Sequence, residues 1–409
     1  MHGTARVYME PINYLLSHFP CVTILGARQV GKTTLLQNLL PTAPFFDLEK
    51  DNDLTRIKYD PEYFLNDVDI PLKIDEAQLC PNLFRALRVK IDKNRKQNGQ
   101  YIITGSSSPE LMHNISESLA GRVAIVELGT FMFNESWQTP LSSVYSLISN
   151  KQFNDILNIK STITKKQLYE SCLYGGYPEP FLSRNSNDFY SIWMENYIKT
   201  YLNRDIRRLF PGLNIETYKR FIKMMSLSSG QLINMSDFAR SLDVSQPTIK
   251  SYFQISEGTF LWRMLPSFQR NSRKRLIKMS KGYLRDSGLI NALYNIHTID
   301  DLKSNPRFGY IWEVFIIEQI IKGMQVELSP FNYYHYRTSH NAEIDLILEG
   351  RFGIIPIEVK AGAALRQNQL QNLNRFIEEY QCSIGLIVNN SDEIIRISDK
   401  IIQLPAKYL

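Results

Sequence analysis

A glycine-containing segment near the amino terminus has the residue types and spacing of a phosphate-binding loop. Its members are Gly26, Ala27, Arg28, Gln29, Val30, Gly31, Lys32, Thr33 and Thr34. The outer glycines let backbone N–H groups turn inward around a β-phosphate, and a helix that begins near Lys32 points its positive end at the phosphates. Lys32 would then bridge the β- and γ-phosphates, while the Thr33 hydroxyl binds Mg²⁺. The segment therefore predicts ATP and Mg²⁺ as cofactors, against the alternative of a chance glycine turn.

Two adjacent acids, Asp75 and Glu76, follow a short apolar run at 72–74. A carboxylate at the end of a strand beside the phosphate loop can hold Mg²⁺ through water, which is the role predicted for Asp75. The next carboxylate can orient and polarise the attacking water, so Glu76 is the predicted catalytic base. Acids also accumulate in the first turn of helices, which is the alternative explanation. The position of the pair, after the loop and before another strand, favours the catalytic interpretation.

A third apolar run, 101–104, ends in residues with small hydroxyl side chains. A hydroxyl group beside the acidic strand can sense the γ-phosphate and help to place the attacking water. Thr104 and Ser106 are the two candidates for this role. The alternative is a plain turn, in which such residues are common.

Arg122 is the predicted source of a positive charge for the reaction. It follows Gly121, a short distance beyond the hydroxyl residues. An arginine in this position can reach the γ-phosphate of a neighbouring subunit and stabilise the charge of the transition state in trans. A surface arginine, or one that interacts with the carboxyl end of a helix, is the alternative.

The carboxyl-terminal part of the chain carries a second set of acidic and basic residues, Glu313, Asp345, Glu358 and Lys360. Facing carboxylates form a site of hard oxygen ligands that suits Mg²⁺, and a lysine beside them can activate water or stabilise a pentavalent phosphate. The set resembles the core of PD-(D/E)xK nucleases, which implies a metal-dependent cleavage site. The alternative is a degenerate nuclease fold kept for binding, with cross-strand salt bridges and with Glu313 on a helix surface.

The register of one predicted hairpin brings these residues together. With a hairpin loop at 350–353, antiparallel pairing sets Asp345 opposite Glu358. The same register sets Glu343 opposite Lys360. Because side chains alternate along a strand, Glu358 and Lys360 share one face.

Short apolar strands that alternate with helical stretches must position the amino-terminal residues. The strands are predicted at 21–25, 45–48, 72–74, 101–104 and 124–128. This alternation is typical of an α/β segment with a parallel sheet. The pattern changes to a helical one between about 165 and 232, with an interruption at 175–178, and the last part of the chain again mixes the two types. There the predicted helices are 312–322 and 366–380, and the predicted strands are 333–337, 342–348, 353–360 and 383–388.

Residues 234–252 have the pattern of two helices joined by a turn. Ser236 is the predicted N-cap of the first helix, Ser245 caps the second, and Pro247 lies in its first turn. The side chains of the second helix that could contact phosphates or base edges are Gln246, Thr248, Lys250 and Ser251.

The basic segment 269–278, with Arg273, Lys274 and Arg275, lies where a winged helix places its wing and could grip a phosphate backbone. The alternative is a winged helix that packs against protein partners, with a solvated basic hairpin.

Length, composition and cysteine pattern are those of an ordinary globular protein. The chain has 409 residues, 44% of them hydrophobic and 22% charged, and the mild net charge of +6 allows an anionic partner without requiring one. No apolar run approaches the roughly 20 residues that span a bilayer. The start of the chain lacks the pattern of a signal peptide. The predicted location is cytoplasmic, without membrane contact, because no CxxC pair or metal spacing links Cys21, Cys80, Cys172 and Cys382.

Several segments together resemble the AAA-type ATPases of bacteria and archaea that combine the AAA_14 domain with the domain of unknown function DUF4143. The ATPase part of this resemblance is carried by 26–34, 73–78, 103–108 and 118–122. The remainder is carried by 175–180, 199–206, 281–289, 336–338, 343–345 and 357–360. The resemblance covers nearly the whole chain. It implies an additional-strand, AAA-like ATPase that forms homo-oligomers, a hexamer among the candidates.

These observations predict an α/β fold class with three segments. A P-loop AAA-like ATPase domain with a parallel sheet occupies 1–140, a helical region with a winged helix 141–300, and a small α/β restriction-endonuclease-like domain, the PD-(D/E)xK nuclease-like part, 301–409. The predicted function is ATP hydrolysis coupled to binding or remodelling of nucleic acid, with DNA as the expected partner and nuclease activity left open. The alternative is an ATP-dependent regulatory switch that remodels a protein partner and carries a degenerate nuclease domain.

Overall fold

The computed structural model describes residues 4–106, 115, 117–161, 163–186, 188–269, 279–338, 342–364 and 367–409. These residues group into two compact units, Met1–Thr130 with Gly258–Phe260, and Phe131–Glu257 with Leu261–Leu409. The division into three segments at residues 140 and 300 stays a prediction. Within the described ranges, no helix is both long enough and apolar enough to cross a bilayer.

A parallel five-stranded sheet forms the centre of the first unit, with the order β2-β3-β4-β1-β5. Its strands are β1 Cys21–Gly26, β2 Phe45–Asp47, β3 Leu72–Asp75, β4 Tyr101–Ser106 and β5 Val123–Glu127. Every strand predicted for this part of the chain is confirmed, with small differences at the ends. β4 lies between β1 and β3, so an additional strand separates the phosphate loop from the acidic strand, as the resemblance implied.

Helices that bury one apolar face cover this sheet. They are α1 Met9–His18, α2 Lys32–Asn38, α3 Asp51–Tyr59, α4 Pro61–Asp67 and α5 Asn82–Lys93, with a 3-10 turn at Ala77–Leu79. α4 begins at Pro61 because the preceding Asp60 side chain accepts a hydrogen bond from the Tyr63 N–H, a standard N-cap. α5 buries a stripe of apolar side chains in the core of the unit, where Leu83 and Leu87 are completely buried.

A buried lysine joins the acidic strand to the helix that follows the phosphate loop. Lys73 on β3 is 2% exposed, and its Nζ donates hydrogen bonds to the carbonyl oxygens of Leu39 and Leu40, both at 3.1 Å. Leu39 is the C-cap of α2, and Leu40, whose carbonyl also accepts a hydrogen bond of 2.9 Å from the Ala43 N–H, follows it. The side chain therefore satisfies buried backbone groups, and β3 and α2 are held together.

The second unit begins with helices. They are α6 Phe133–Ser136, α7 Val144–Ser149, α8 Lys165–Tyr174, α9 Pro178–Leu182, α10 Phe189–Thr200, a π-helical segment Tyr201–Ile206, α11 Arg207–Leu209 and α12 Ile215–Ser228. The predicted interruption at 175–178 is confirmed. Gly175 has a φ of 69°, and a Cβ atom there would lie 2.2 Å from Asp286 Oδ1. The same carboxylate accepts a hydrogen bond of 2.8 Å from the Gly176 N–H, so the glycine pair is fixed by a residue far along the chain.

A helix–turn–helix beside a small antiparallel sheet follows. Its elements are β6 Gln231–Leu232, α13 Met235–Leu242, α14 Gln246–Gly258, β7 Trp262–Leu265 and β8 Lys281–Leu284, and the strand order is β6-β8-β7. The predicted cap of the first helix was wrong, because Asn234 and not Ser236 accepts the N-terminal hydrogen bond. Ser245 caps α14 as predicted, through a bond of 3.3 Å from the Thr248 N–H. In the basic segment 269–278, residues 270–278 lie outside the described residues.

The carboxyl-terminal part of the second unit is a mixed six-stranded sheet in the order β13-β14-β12-β11-β10-β9. The strands are β9 Phe331–Arg337, β10 Glu343–Gly350, β11 Gly353–Val359, β12 Gly385–Asn389, β13 Ile395–Ser398 and β14 Ile401–Pro405. The helices before and within this part of the chain are α15 Ser287–Leu293, α16 Ile299–Ser304, α17 Phe308–Val326 and α18 Gln367–Glu379. A 3-10 turn, Ala406–Tyr408, ends the chain.

The hairpin of β10 and β11 has the predicted register but a tighter turn. Gly350 pairs with Gly353, which leaves only Arg351 and Phe352 in the loop. Gly353 has a φ of 99°, a conformation that favours glycine, and it allows this short connection. The pairing then continues to Leu346 opposite Ile357. These two residues are the neighbours of Asp345 and Glu358, which were predicted to face each other.

Backbone pairing joins the segment after β7 to the outer strand of the large sheet. The Phe268 N–H donates to the His335 carbonyl at 2.7 Å, and the His335 N–H donates to the Pro266 carbonyl at 3.0 Å. The Phe268 ring lies in the core formed by the carboxyl-terminal sheet and α18. The helix–turn–helix and the large sheet are therefore parts of one compact unit.

Candidate active site

The phosphate-loop segment connects β1 to α2 and has the backbone that its glycines predict. Gly26 ends a completely buried strand, and a Cβ atom at this position would lie 2.3 Å from the Leu128 carbonyl oxygen. Gly31 adopts the left-handed conformation with a φ of 91° immediately before α2. Any larger residue would thus be excluded by contact at Gly26 and by strain at Gly31.

Lys32 is folded over the loop that precedes it. Its Nζ donates hydrogen bonds to the carbonyl oxygens of Ala27 at 2.9 Å and Gly26 at 3.2 Å, and the side chain is 5% exposed. Burial lowers the pKa of the Lys32 ammonium, while the nearby carboxylates of Glu76 and Asp75 act in the opposite direction. Glu76 Oε1 lies 4.0 Å from Nζ, so the two predicted functional groups are adjacent.

The predicted magnesium ligands are in direct contact. Thr33 Oγ1 donates a hydrogen bond of 2.5 Å to Asp75 Oδ2, and Thr104 Oγ1 donates one to the other oxygen, Oδ1. Burial raises the pKa of the Asp75 carboxyl, and these two hydrogen bonds oppose the increase. A hydroxyl and a carboxylate oxygen that meet at one point fit Mg²⁺, which prefers oxygen ligands.

Glu76 is held in an unusual backbone conformation by its neighbours. Its φ of 53° is left-handed, and its N–H donates to Thr104 Oγ1 at 3.2 Å. Its carboxylate accepts hydrogen bonds from the Gln78 amide and from Ser106 Oγ, the latter at 3.1 Å. Burial raises the pKa of Glu76, but Lys32 and these hydrogen bonds outweigh it, so the pKa lies below its usual value. The carboxylate is therefore ionised at neutral pH, as a proton acceptor must be.

Both candidates for the hydroxyl role lie at this site. Thr104 contacts Asp75 and the backbone of Glu76, whereas Ser106 contacts the Glu76 carboxylate. The two hydroxyl groups therefore serve different acids.

Arg122 occupies a different environment from the one predicted for a trans-acting arginine. Its Nε and Nη2 donate to the two carboxylate oxygens of Asp92 at 2.7 and 2.8 Å, and its Nη1 donates to the Ala120 carbonyl at 2.9 Å. The Arg122 hydrogen bond lowers the pKa of the exposed Asp92 carboxyl. Catalysis in trans would require this pair to open, and that role stays a prediction.

Two residues near the site were missed by the sequence analysis. Arg6 is 7% exposed, and its guanidinium donates to the carbonyl oxygens of Val30 at 2.7 Å and Gly129 at 2.9 Å. The first of these bonds stabilises the backbone of the phosphate loop at Val30. Gln78 contacts the Glu76 carboxylate. Arg6 stands too far from the motif in sequence to give a signal, whereas Gln78 lies within the segment 73–78 that carries the resemblance.

The carboxyl-terminal acids and Lys360 come together as the hairpin register predicted. Lys360 Nζ lies 2.8 Å from Glu358 Oε1 and 3.4 Å from Asp345 Oδ2. The Val359 N–H also donates to Asp345 Oδ2, at 2.8 Å. Burial, followed by the charge of Asp345, raises the pKa of Glu358 to about 8.

Lys281 of β8 is the residue of this cluster that the sequence analysis did not identify as functional. Its Nζ lies 2.7 Å from Glu313 Oε1, 2.7 Å from Glu343 Oε1 and 3.6 Å from Asp345 Oδ1. Glu313 is 8% exposed and also accepts a hydrogen bond of 2.8 Å from the Tyr283 hydroxyl, so the alternative of a helix-surface acid was wrong. Burial raises the pKa of Glu313 to about 7.

A polar cleft of about 580 Å³ opens over this cluster. Arg337 and Tyr310 line it together with Gln369 and Asn372 of α18. Among the described residues, no group of three or more histidine, cysteine or acidic side chains is arranged to hold a metal ion. The acids of the cleft instead contact lysine side chains.

Three family models match separate parts of the chain. An AAA domain matches residues 18–137, and two domains of unknown function match residues 165–300 (DUF8612) and 308–409 (DUF4143). The uncharacterised proteins Rv2008c of Mycobacterium tuberculosis and Mb2031c of Mycobacterium bovis are each 31% identical over 396 residues, which cover 96% of this chain and 82% of theirs.

Several solved structures match the chain at low sequence identity. The Walker-type ATPase PABY2304 of Pyrococcus abyssi has a TM-score of 0.47 at 15% identity and covers 72% of this chain and 96% of its own. The Orc1 protein of Aeropyrum pernix, solved in complex with DNA, has a TM-score of 0.29 at 11% identity, and the match covers 70% of this chain and 91% of the Orc1 chain. The signal-transduction ATPase PH0952 of Pyrococcus horikoshii has a TM-score of 0.28 at 14% identity, and the match covers 80% of this chain and 50% of the PH0952 chain.

Proposed function

Because the chain belongs to the same family as the two mycobacterial proteins, with an AAA domain followed by DUF8612 and DUF4143, we propose that it binds and hydrolyses ATP. The observation that carries this proposal is the contact of 2.5 Å between Thr33 Oγ1 and Asp75 Oδ2, with Lys32 and Glu76 beside it. Residues from the loop, the acidic strand and β4 meet here at the carboxyl ends of parallel strands, where α/β proteins bind their ligands.

Each side chain has a role that follows from its contacts. Lys32 would neutralise phosphate charge, and Thr33 and Asp75 would hold Mg²⁺, which would act as a Lewis acid on the γ-phosphate when bound with ATP. Glu76 accepts a proton from the attacking water, while Ser106 and Gln78 orient its carboxylate. The Thr104 hydroxyl fixes Asp75 relative to the backbone of Glu76.

Phosphate release by the purified chain tests this proposal. We expect steady-state release from ATP in the presence of Mg²⁺ and none in EDTA, since Thr33 and Asp75 act through the metal. As a control, Asp51→Asn changes an exposed acid in the first turn of α3 and should keep the dependence on Mg²⁺. Equal release with and without EDTA would contradict the assignment of Thr33 and Asp75.

The second part of the proposal is that the helix–turn–helix binds DNA and that this binding is coupled to ATP hydrolysis. The strand order β6-β8-β7 around α13 and α14, preceded by α12, supports a winged helix. Gln246, Lys250 and Ser251 lie near the start of α14 and are exposed. Amide, ammonium and hydroxyl groups are the types that contact phosphates and base edges.

We expect duplex DNA to increase the rate of phosphate release and Lys250→Ala to weaken DNA binding. If Lys250 contacts one phosphate, its loss should reduce the slope of log affinity against log salt by about 0.9. Fluorescence anisotropy with labelled duplex over a series of salt concentrations measures this slope, and Lys58→Ala, an exposed lysine of α3, is the matched control. A wild-type hydrolysis rate that DNA leaves unchanged, with no measurable duplex binding, would favour the remodelling of a protein partner.

A further inference from the structure

We propose that the Lys281 ammonium is a built-in cation that replaces a divalent metal in the carboxyl-terminal cleft, which therefore functions without metal. The resemblance to PD-(D/E)xK nucleases implies a metal held by Glu313, Asp345 and Glu358. The residues present do not fit that metal, because Lys281 Nζ already lies among the carboxylate oxygens. This inference concerns the second unit and is independent of the proposed ATP hydrolysis.

The contacts of Lys281 are those expected for a central cation. Its Nζ lies 2.7 Å from an oxygen of Glu313 and 2.7 Å from an oxygen of Glu343, with Asp345 Oδ1 at 3.6 Å. Acids from a helix and from a strand of the large sheet thus converge on one positive charge. A divalent ion at this point would need the same oxygens and would lie next to the ammonium, so charge repulsion and competition for ligands both exclude it.

The backbone of Lys281 cannot easily withdraw the side chain. β8 is the middle strand of its sheet, and Lys281 pairs with Leu232 of β6 on one side and Leu265 of β7 on the other. The next residue, Gly282, is packed so closely that a Cβ atom would lie 2.1 Å from the Trp262 ring. Lys281 itself is 4% exposed. The ammonium is therefore a fixed part of the cleft and not a mobile surface charge.

Lys360 completes the charge compensation on the other side of Asp345. Its Nζ contacts Asp345 Oδ2 and Glu358 Oε1, so each of the four acids of the cluster lies within 3.6 Å of a lysine nitrogen. Arg337 Nη1 lies 3.8 Å from Glu343 and adds a third positive group. A cluster compensated in this way has little remaining attraction for a metal. The cleft of about 580 Å³ above it is suited to binding a polar ligand through protein groups alone.

The substitution Lys281→Met tests the proposal, because methionine keeps a long unbranched side chain but removes the charge. Binding of Mn²⁺ to the full-length protein without nucleotide can be followed by isothermal titration calorimetry. We expect the wild-type protein to show no Mn²⁺ binding that depends on Asp345. Lys281→Met should gain one site, with affinity at least about tenfold above the wild-type background. The double variant Lys281→Met with Asp345→Asn should lose that gain, which separates the cleft from the acids of the first unit.

Lys281→Arg is the matched control, since it keeps a positive charge and should exclude Mn²⁺ as the wild-type does. Circular dichroism melting shows whether each variant is folded. A wild-type protein that binds Mn²⁺ and loses this binding on Asp345→Asn would overturn the proposal, and this comparison does not depend on the Lys281 variants. DNA cleavage by wild-type protein with Mg²⁺ or Mn²⁺ that Asp345→Asn abolishes would overturn it as well. A Lys281→Met protein that is folded but gains no Mn²⁺ site would also overturn the proposal.

Discussion

We expect the replacement of Glu76 by glutamine to stop ATP turnover and to leave ATP binding intact. The amide has nearly the same size as the carboxylate but cannot accept a proton from water, so the expected loss in kcat is about 10²–10⁴-fold. Its backbone can keep the left-handed conformation, and Ser106 Oγ can still donate to the remaining oxygen. Phosphate release and fluorescent-nucleotide binding, measured on the same preparation, separate the two effects.

Glu62→Gln is the control for this substitution. Glu62 is an exposed acid in the first turn of α4, in the same unit, and the same chemical change there should leave turnover at the wild-type level. A Glu76→Gln protein with the wild-type rate would show that Glu76 is not the catalytic base.

Lys32→Ala should lose nucleotide affinity itself. The Lys32 ammonium donates to the loop carbonyls of Ala27 and Gly26, and it can move from these oxygens to phosphate oxygens. A hydrogen bond to a charged group contributes about 1.5–3 kcal/mol, which corresponds to roughly 10–150-fold in affinity. Titration of the protein with labelled ATP measures the change.

Two comparisons make the Lys32 result specific. Lys96→Ala removes an exposed lysine in the turn after α5 and should leave ATP affinity unchanged. Circular dichroism melting must show that Lys32→Ala is folded at the temperature of the titration, because loss of the ammonium leaves the buried Glu76 carboxylate without its neighbouring cation and should lower the melting temperature. ATP affinity that is unaltered in a folded Lys32→Ala protein would refute its role at the phosphates.

Local patterns in the sequence were sufficient to predict the strands of the first sheet and the arrangement of Lys32, Thr33 and Asp75. Each strand is a short apolar run, and the loop has its glycines at fixed positions, so neighbouring residues carry the information. The hairpin register was likewise predictable, since it depends on one turn. The shorter turn at Arg351 and Phe352 was missed because pairing of two glycines leaves no side-chain pattern.

The remaining features depend on contacts between distant residues. Arg6 reaches Val30, and Lys281 reaches Glu313, only once the chain has folded, so neither pair leaves a local signal. β13 was not predicted because its side chains are largely accessible to solvent at the edge of the sheet. β14 was not predicted because a short run of buried residues has the same pattern in a helical turn as in a strand. The N-cap of α13 was misassigned because Asn234 and Ser236 are both good capping residues.

The bond network of Lys73 has a consequence for nucleotide affinity. Lys73 fixes β3, which ends in Asp75, to the carboxyl end of α2, which begins one residue before Thr33. Folding therefore restricts the relative position of the two predicted magnesium ligands, Thr33 and Asp75, before any ligand binds. If ATP binds here with Mg²⁺ as proposed, it meets a preorganised site, whose ligands already have their relative position.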